Sequence, residues 1–179
     1  MINPPKTKNA ANQFAKDCMV TALIQLLKSK KLSEITISEL TKKAGVSRMT
    51  FYRNYNAKED IFIQHINEIF TVYRKECDKT VCQSEFYDMP NLLHCFHYFY
   101  IHKEFINTLL LSGMGHLFLS ELSAYVISVW YHSGCSINRY YTLQAFSGSL
   151  YNVYLTWSAS GSDISDTVMA EMIHNIYAK

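Results

Sequence analysis

The sequence predicts an all-α protein of about nine helices. Three features carry that expectation: only three prolines and six glycines occur in 179 residues, no alternating apolar and polar run is bounded by turn residues as a strand would be, and apolar positions recur at helical spacing in one segment after another. With 49% apolar residues the chain has ample material for a core, in one compact unit or in a small head and a larger body.

Residues 1–8 carry charge and proline without an apolar stretch, which predicts a frayed arm. The first helix is expected over about 9–29, where Phe14, Cys18, Ala22 and Leu26, with Met19, Leu23 and Leu27, form a stripe that would cover the following segment. Lys28, Lys30 and Lys31 at its end suit the negative pole of the helix dipole. Thr36 and Glu39 then have the spacing of a capping box, so a second helix starts at Ile37. Ile37, Leu40 and Ala44 make its buried stripe, with Ser38, Thr41, Lys42 and Lys43 in water. Gly45 breaks the helix, because a residue without Cβ turns the chain through positive φ at no steric cost. Ser47 caps a third helix over 48–53. Val46 and Phe51 would face back, leaving Arg48, Met49, Thr50, Tyr52 and Arg53 outward, with no acid from 47 to 57. A helix start that offers free N–H groups, arginine and no carboxylate suits a polyanion, and the spacing is that of a helix-turn-helix.

Two further features point the same way. Asn56 with Glu59 three residues on predicts that another helix follows at once, placing Tyr55 and Lys58 beside the pair. Residues 1–60 hold eleven Lys/Arg against five Asp/Glu, net +6, whereas 61–179 hold six against ten, net −4. A basic head on an acidic body is the asymmetry expected when one end meets nucleic acid.

The run ITISELTKKAGVSRMTFYRNYNAKEDIF, residues 35–62, resembles the DNA-binding signature of the TetR/AcrR family of transcriptional regulators, with AGVS, the TFYR block, the following N-Y and the K-E-D in register. The resemblance covers about the first seventy residues. It implies an all-helical homodimer with a three-helix DNA-binding domain over 1–57, a connecting helix from 58, and a ligand-binding and dimerisation domain over 58–179. The implied function is a sequence-specific DNA-binding regulator, a repressor released by a small-molecule effector and acting on a palindromic operator in double-stranded DNA. Arg48 and Thr50 are the base-edge candidates, and Met49 can meet a thymine methyl. By position in the family pattern, Thr36, Ser47, Tyr52, Asn54 and Lys58 are candidates to hold phosphates, beside the outward Arg53. Met49 stands where the family often has a small residue and Asn54 where it often has histidine, so base preference does not carry over.

A long fourth helix over 58–79, with the stripe Ile61, Phe62, Ile66, Ile69, Phe70 and Tyr73, would belong to both halves. By the resemblance, ligands displace this helix. Asp88 and Pro90 open a fifth helix over about 92–100, dense in aromatic and imidazole groups. Its His94, His97 and Tyr98, with Phe70, Tyr73, Met114 and Trp130, are the expected lining of a pocket for a modest organic ligand. His94 and His97 lie one turn apart, but without a paired cysteine or histidine motif no metal or other cofactor is expected. Helices over 104–111 and 116–131 follow, the second with Leu117, Leu119, Leu122, Val126, Ile127 and Val129 fitting either pocket wall or plain core.

Residues 140–162 contain no formal charge yet are too polar for lipid, so the expected partner is not a membrane. A helix without charge on any side is buried on every side, and a second copy of the chain supplies the missing cover. The expected homodimer seam is Leu143, Ser147, Leu150, Tyr154 and Trp157, with small Ala145, Gly148 and Ser149 allowing close approach. A last helix, capped by Ser165 or Asp163, would add Met169, Met172 and Ile176, on an inner face shared with Val168 and Ile173.

Cys18, Cys77, Cys82, Cys95 and Cys135 are odd in number and scattered, which together with the lack of a leader motif predicts reduced thiols and a cytoplasmic protein. Two other functions fit the chain less well. One is an adaptor of the same fold whose ligand is sensed by a protein partner. The other, more remote, is a helical enzyme, for which no catalytic spacing or phosphate-cradling loop is present, so the chain is expected not to be an enzyme.

Overall fold

The computed structural model describes residues 6–80, 84–161 and 163–178. Among them are nine α-helices and one 3-10 turn, Leu32–Glu34. The chain divides into two compact units between His65 and Ile66. The expected frayed arm falls largely on residues 1–5, which with Cys82 and Ser162 lie outside the described residues.

The first unit contains α1 (Lys6–Leu27), α2 (Ile37–Ala44), α3 (Arg48–Asn54) and the start of α4 (Glu59–Thr80). Helix α2 packs on both α1 and α3. Met19, Leu23, Leu40, Phe51, Ile61 and Phe62 are each at most 1% exposed and form its core. Two expectations for this unit are corrected. Phe14 is 69% exposed rather than part of the stripe, which begins at Met19. Thr41 is buried rather than wet, because its hydroxyl donates to the Ile37 carbonyl at 2.9 Å and so loses nothing by leaving water. The turn that leads into α4 is closed by Asp60, whose Oδ2 accepts from the Asn56 and Ala57 amides at 2.8 and 3.0 Å, in place of the expected Asn56–Glu59 pair.

The second unit contains the rest of α4, then α5 (Met89–Ile101), α6 (Lys103–Leu111), α7 (Gly115–Trp130), α8 (Ile137–Ala159) and α9 (Asp166–Tyr177). Helix α5 packs on α9, and α7 on α8. Its core is aromatic: Phe99 meets Phe118 edge-on at 5.1 Å and Tyr154 at 5.3 Å, and Tyr73 meets Tyr98 at 4.8 Å and Tyr125 at 4.9 Å. Ser165 supplies the cap of α9, its Oγ accepting from the Val168 amide at 3.3 Å. Among the described residues no helix is long and apolar enough to cross a membrane.

The expected dimer seam is also corrected. Leu143, Ser147, Leu150, Tyr154, Trp157 and Met169 are all at most 4% exposed within their own chain and present no surface to a second copy. Helix α8 has no charge from 140 to its end, so periodicity identifies two faces without saying which is inside. The face with the larger side chains buries more apolar area and therefore turns to the chain's own core. Of the expected seam only Met172 and Ile176 stay outside, 51% and 60% exposed, with Val168 at 43% on the same side of α9.

Phe51 and Phe14 separate the two stripes energetically. Phe51→Ala should lower stability by about 3–5 kcal/mol. Phe14→Ala should stay within about 0.5 kcal/mol. Urea denaturation of both variants checks the difference.

Candidate nucleic-acid interface

Helix α3 has seven residues and is held at both ends and from below. At its start, the Ser47 Oγ accepts from the Thr50 amide at 3.0 Å and shares a 2.9 Å hydrogen bond with the Thr50 hydroxyl. Before it, Gly45 takes φ 69°, and the Val46 amide returns to the Thr41 carbonyl at 3.0 Å, which turns the chain sharply out of α2. Beneath α3, Phe51 is fully buried, with Tyr52 and Tyr55 rings 5.3 and 5.6 Å from it. At its end, Asn54 and Asn12 exchange reciprocal amide hydrogen bonds of 3.0 and 3.1 Å, while the Asn54 Nδ2 also donates to the Thr50 carbonyl and the Asn54 carbonyl accepts from Gln64 Nε2.

What remains outward is one contiguous face. Arg48, Met49, Tyr52 and Arg53 are exposed, Met49 at 72% and Tyr52 at 50%, and Thr50 is half-buried beside Ser47. Two arginines, an unbranched apolar side chain and a phenol side by side can bond base acceptors, touch a thymine methyl and reach phosphate. Thr36, exposed at the start of α2, has its Oγ1 on the Glu39 amide at 3.1 Å. The Glu39 carboxylate does not complete the capping box but meets Lys30 Nζ at 2.6 Å.

Asn54 and Lys58 differ from the other candidates. The Asn54 amide is used by Asn12 and Thr50, and Lys58 Nζ donates to the Ile35 carbonyl at 2.8 Å. Both hold the head together. Asn12 is the contributor that sequence reasoning missed, since its partner lies forty-two positions away and no local pattern marks it.

The sequence profile of bacterial regulatory proteins of the tetR family matches residues 20–64. The chain carries a TetR-type head. The likeness extends to the fold of the whole chain. A TetR transcriptional regulator of Streptococcus agalactiae 2603V superposes with a TM-score of 0.65 at 21% identity, over 96% of this chain and 97% of that one. The fatty acid degradation regulator FadR of Bacillus halodurans gives 0.60 at 14%, over 90% and 93%. The dihydroxyacetone kinase operon activator DhaS gives 0.61 at 16%, also over 90% and 93%. No curated protein matches the sequence.

In the cavities that the described residues of the second unit enclose, the expected ligand residues do not meet in one place. Phe70, Tyr73 and Tyr98 line a cavity of about 10 Å³ with Ile66, Ile69 and Phe118. Tyr73 and Trp130 line another of about 20 Å³ with Asn91, Cys95 and Tyr125. His94 stacks on Tyr73 at 5.0 Å, and burial pushes its imidazole below the ordinary value against a smaller opposing pull from Glu76. His97 faces out, 3.5 Å from the Asp166 carboxylate, over an open groove with Tyr100 and Trp157. Met114 caps α7 and lines neither cavity.

The reciprocal amide pair predicts coupling. A double-mutant cycle of Asn12→Ala and Asn54→Ala should show an interaction of about 1 kcal/mol in thermal or chemical denaturation, whereas additive losses would mean the pair is incidental.

Proposed function

We propose that the chain is a sequence-specific DNA-binding transcriptional regulator, a cytoplasmic homodimer that acts as a repressor and is released by a small-molecule effector. The observation that carries the reading is the outward face Arg48, Met49, Tyr52 and Arg53 on a capped helix within the segment that matches the tetR-family profile. In this reading residues 1–57 bind the duplex, α4 connects, and 58–179 take the effector and the second copy. Arg48 and Thr50 address base edges, Met49 a thymine methyl, and Thr36, Ser47, Tyr52 and Arg53 the phosphates.

A second copy has a surface to meet. Val168, Met172 and Ile176 make an exposed apolar strip along α9, and α8 turns out Ala145 and Asn152, with half-buried Gly148 between them. Small residues let helices approach, and apolar strips of this kind are unusual on a surface that meets only water.

Selection from random duplex DNA tests the function directly. It should recover a palindrome with half-sites about one helical turn, or a multiple, apart. Recovery of no common sequence would sink the proposal. Arg48→Ala should lose about 1–3 kcal/mol on the recovered site and little on random duplex. An activator shares the fold, so the sign is read from transcription: deletion of a repressor raises the output of its operator.

Met172→Glu with Ile176→Glu should convert the dimer to monomer by sedimentation while leaving each chain folded, because both side chains already stand in water. A dimer unchanged by both substitutions would place the interface elsewhere.

The tight interior supports a second reading, the adaptor whose ligand is sensed by a partner protein. Cavities of about 10 and 20 Å³ hold at most a water molecule each. Operator binding that needs a second protein would favour it.

A further inference from the structure

Asn91, the third residue of α5, is 5% exposed. Its Nδ2 donates to the Glu85 carbonyl at 2.7 Å and to the Ser84 hydroxyl at 2.9 Å. A carbonyl can only accept, so the amide cannot be turned over, and the other end is fixed as an acceptor. That Oδ1 is buried and has no hydrogen-bond partner among the described residues. Most buried side-chain polar atoms are paired, so this one marks a place where a bound molecule can supply the partner.

Asn91 lines the larger of the two small cavities, against Tyr73, Cys95, Leu122, Tyr125 and Trp130. Other polar groups of its lining already have partners: the Trp130 indole N–H is given to the Ser84 carbonyl at 3.0 Å, and the Tyr73 hydroxyl is hydrogen-bonded with the Cys77 and Cys95 thiols. Tyr73 also lines the second cavity, so its ring is a wall common to both. No charged side chain lines either one.

We propose that the effector is a neutral, largely apolar molecule bearing one hydrogen-bond donor, with that donor on Asn91 Oδ1 and its apolar part along the two cavities that Tyr73 divides. The proposal rests on the reading of the second unit as a ligand-sensing body. A carboxylate would meet another oxygen and no cation. An ammonium would lose its hydration for a single neutral acceptor, so both ions are disfavoured where an alcohol, phenol or amide is not. Anything longer than a water must displace the Tyr73 ring together with the Tyr98 and Tyr125 rings packed on it, which opens the two cavities to each other.

The test uses the full chain and three probes of matched length: decan-1-ol, its isomer 1-methoxynonane, which lacks the donor, and decanoate at neutral pH. Binding is followed by calorimetry and by indole fluorescence. The alcohol should bind about tenfold or more tightly than the ether, and more tightly than decanoate. Asn91→Leu should abolish the difference between alcohol and ether. Equal affinity of the two isomers for the unaltered chain, or binding of neither, overturns the proposal, and this comparison stands even if Asn91→Leu fails to fold. Duplex binding is measured alongside without probe: retained duplex binding with no discrimination condemns the Asn91 site alone, whereas lost duplex binding condemns the regulator reading and leaves the isomer comparison in force.

Discussion

A seven-residue helix does not survive in water by itself, and the face of this protein proposed to meet DNA is built on one. Everything that α3 presents outward depends on Phe51 being held underneath it. The fully buried ring fixes the helix against its neighbours, and the Ser47 cap and the Asn12–Asn54 pair fix its two ends. The same constraint explains why two of the polar residues that look suited to phosphate, Asn54 and Lys58, bond to the head instead. A short recognition helix needs its own neighbours to hold its angle, and pre-set geometry is what makes a contact with a base edge selective.

The body solves a different problem, that of burying a helix without charge beyond Arg139 in a small unit. Helix α8 turns Leu143, Leu150, Tyr154 and Trp157 inward and, beyond the exposed Ile137 and Tyr141 of its first turns, leaves mainly small and polar residues outside. Its inward hydroxyls are satisfied, Ser147 within the helix on the Leu143 carbonyl and Tyr154 on the Asn107 side chain of α6. The apolar strip that remains on the surface belongs to α9 rather than α8. An interface built there uses one helix for grip and its neighbour for close approach.

Aromatic packing among the described residues of the second unit is dense around two cavities little larger than a water. Density of this kind transmits displacement, since interlocked rings cannot move singly. Tyr73 sits among His94, Tyr98 and Tyr125 and between both cavities, so a molecule that moves it must also move α5 and α7 side chains. Burial raises its phenol well above the ordinary value, which keeps the group neutral at any physiological pH.

By itself the sequence determined the all-helical fold and the caps at Thr36 and Ser47, and narrowed the last cap to Ser165 or Asp163, because these depend on spacing and on bonds within four residues. It also determined the outward run from Arg48 to Arg53, since one buried Phe51 sets the phase of so short a helix. Only the tertiary structure decided which face of α8 is inner, where Phe14 points, and that Asn12 meets Asn54. The same holds for the seven expected ligand residues, six of which split between two cavities, a groove and a helix cap while His94 stacks on Tyr73 outside both cavities. Each of these turns on contacts between segments far apart in the chain, and periodicity records that a face exists without recording what covers it.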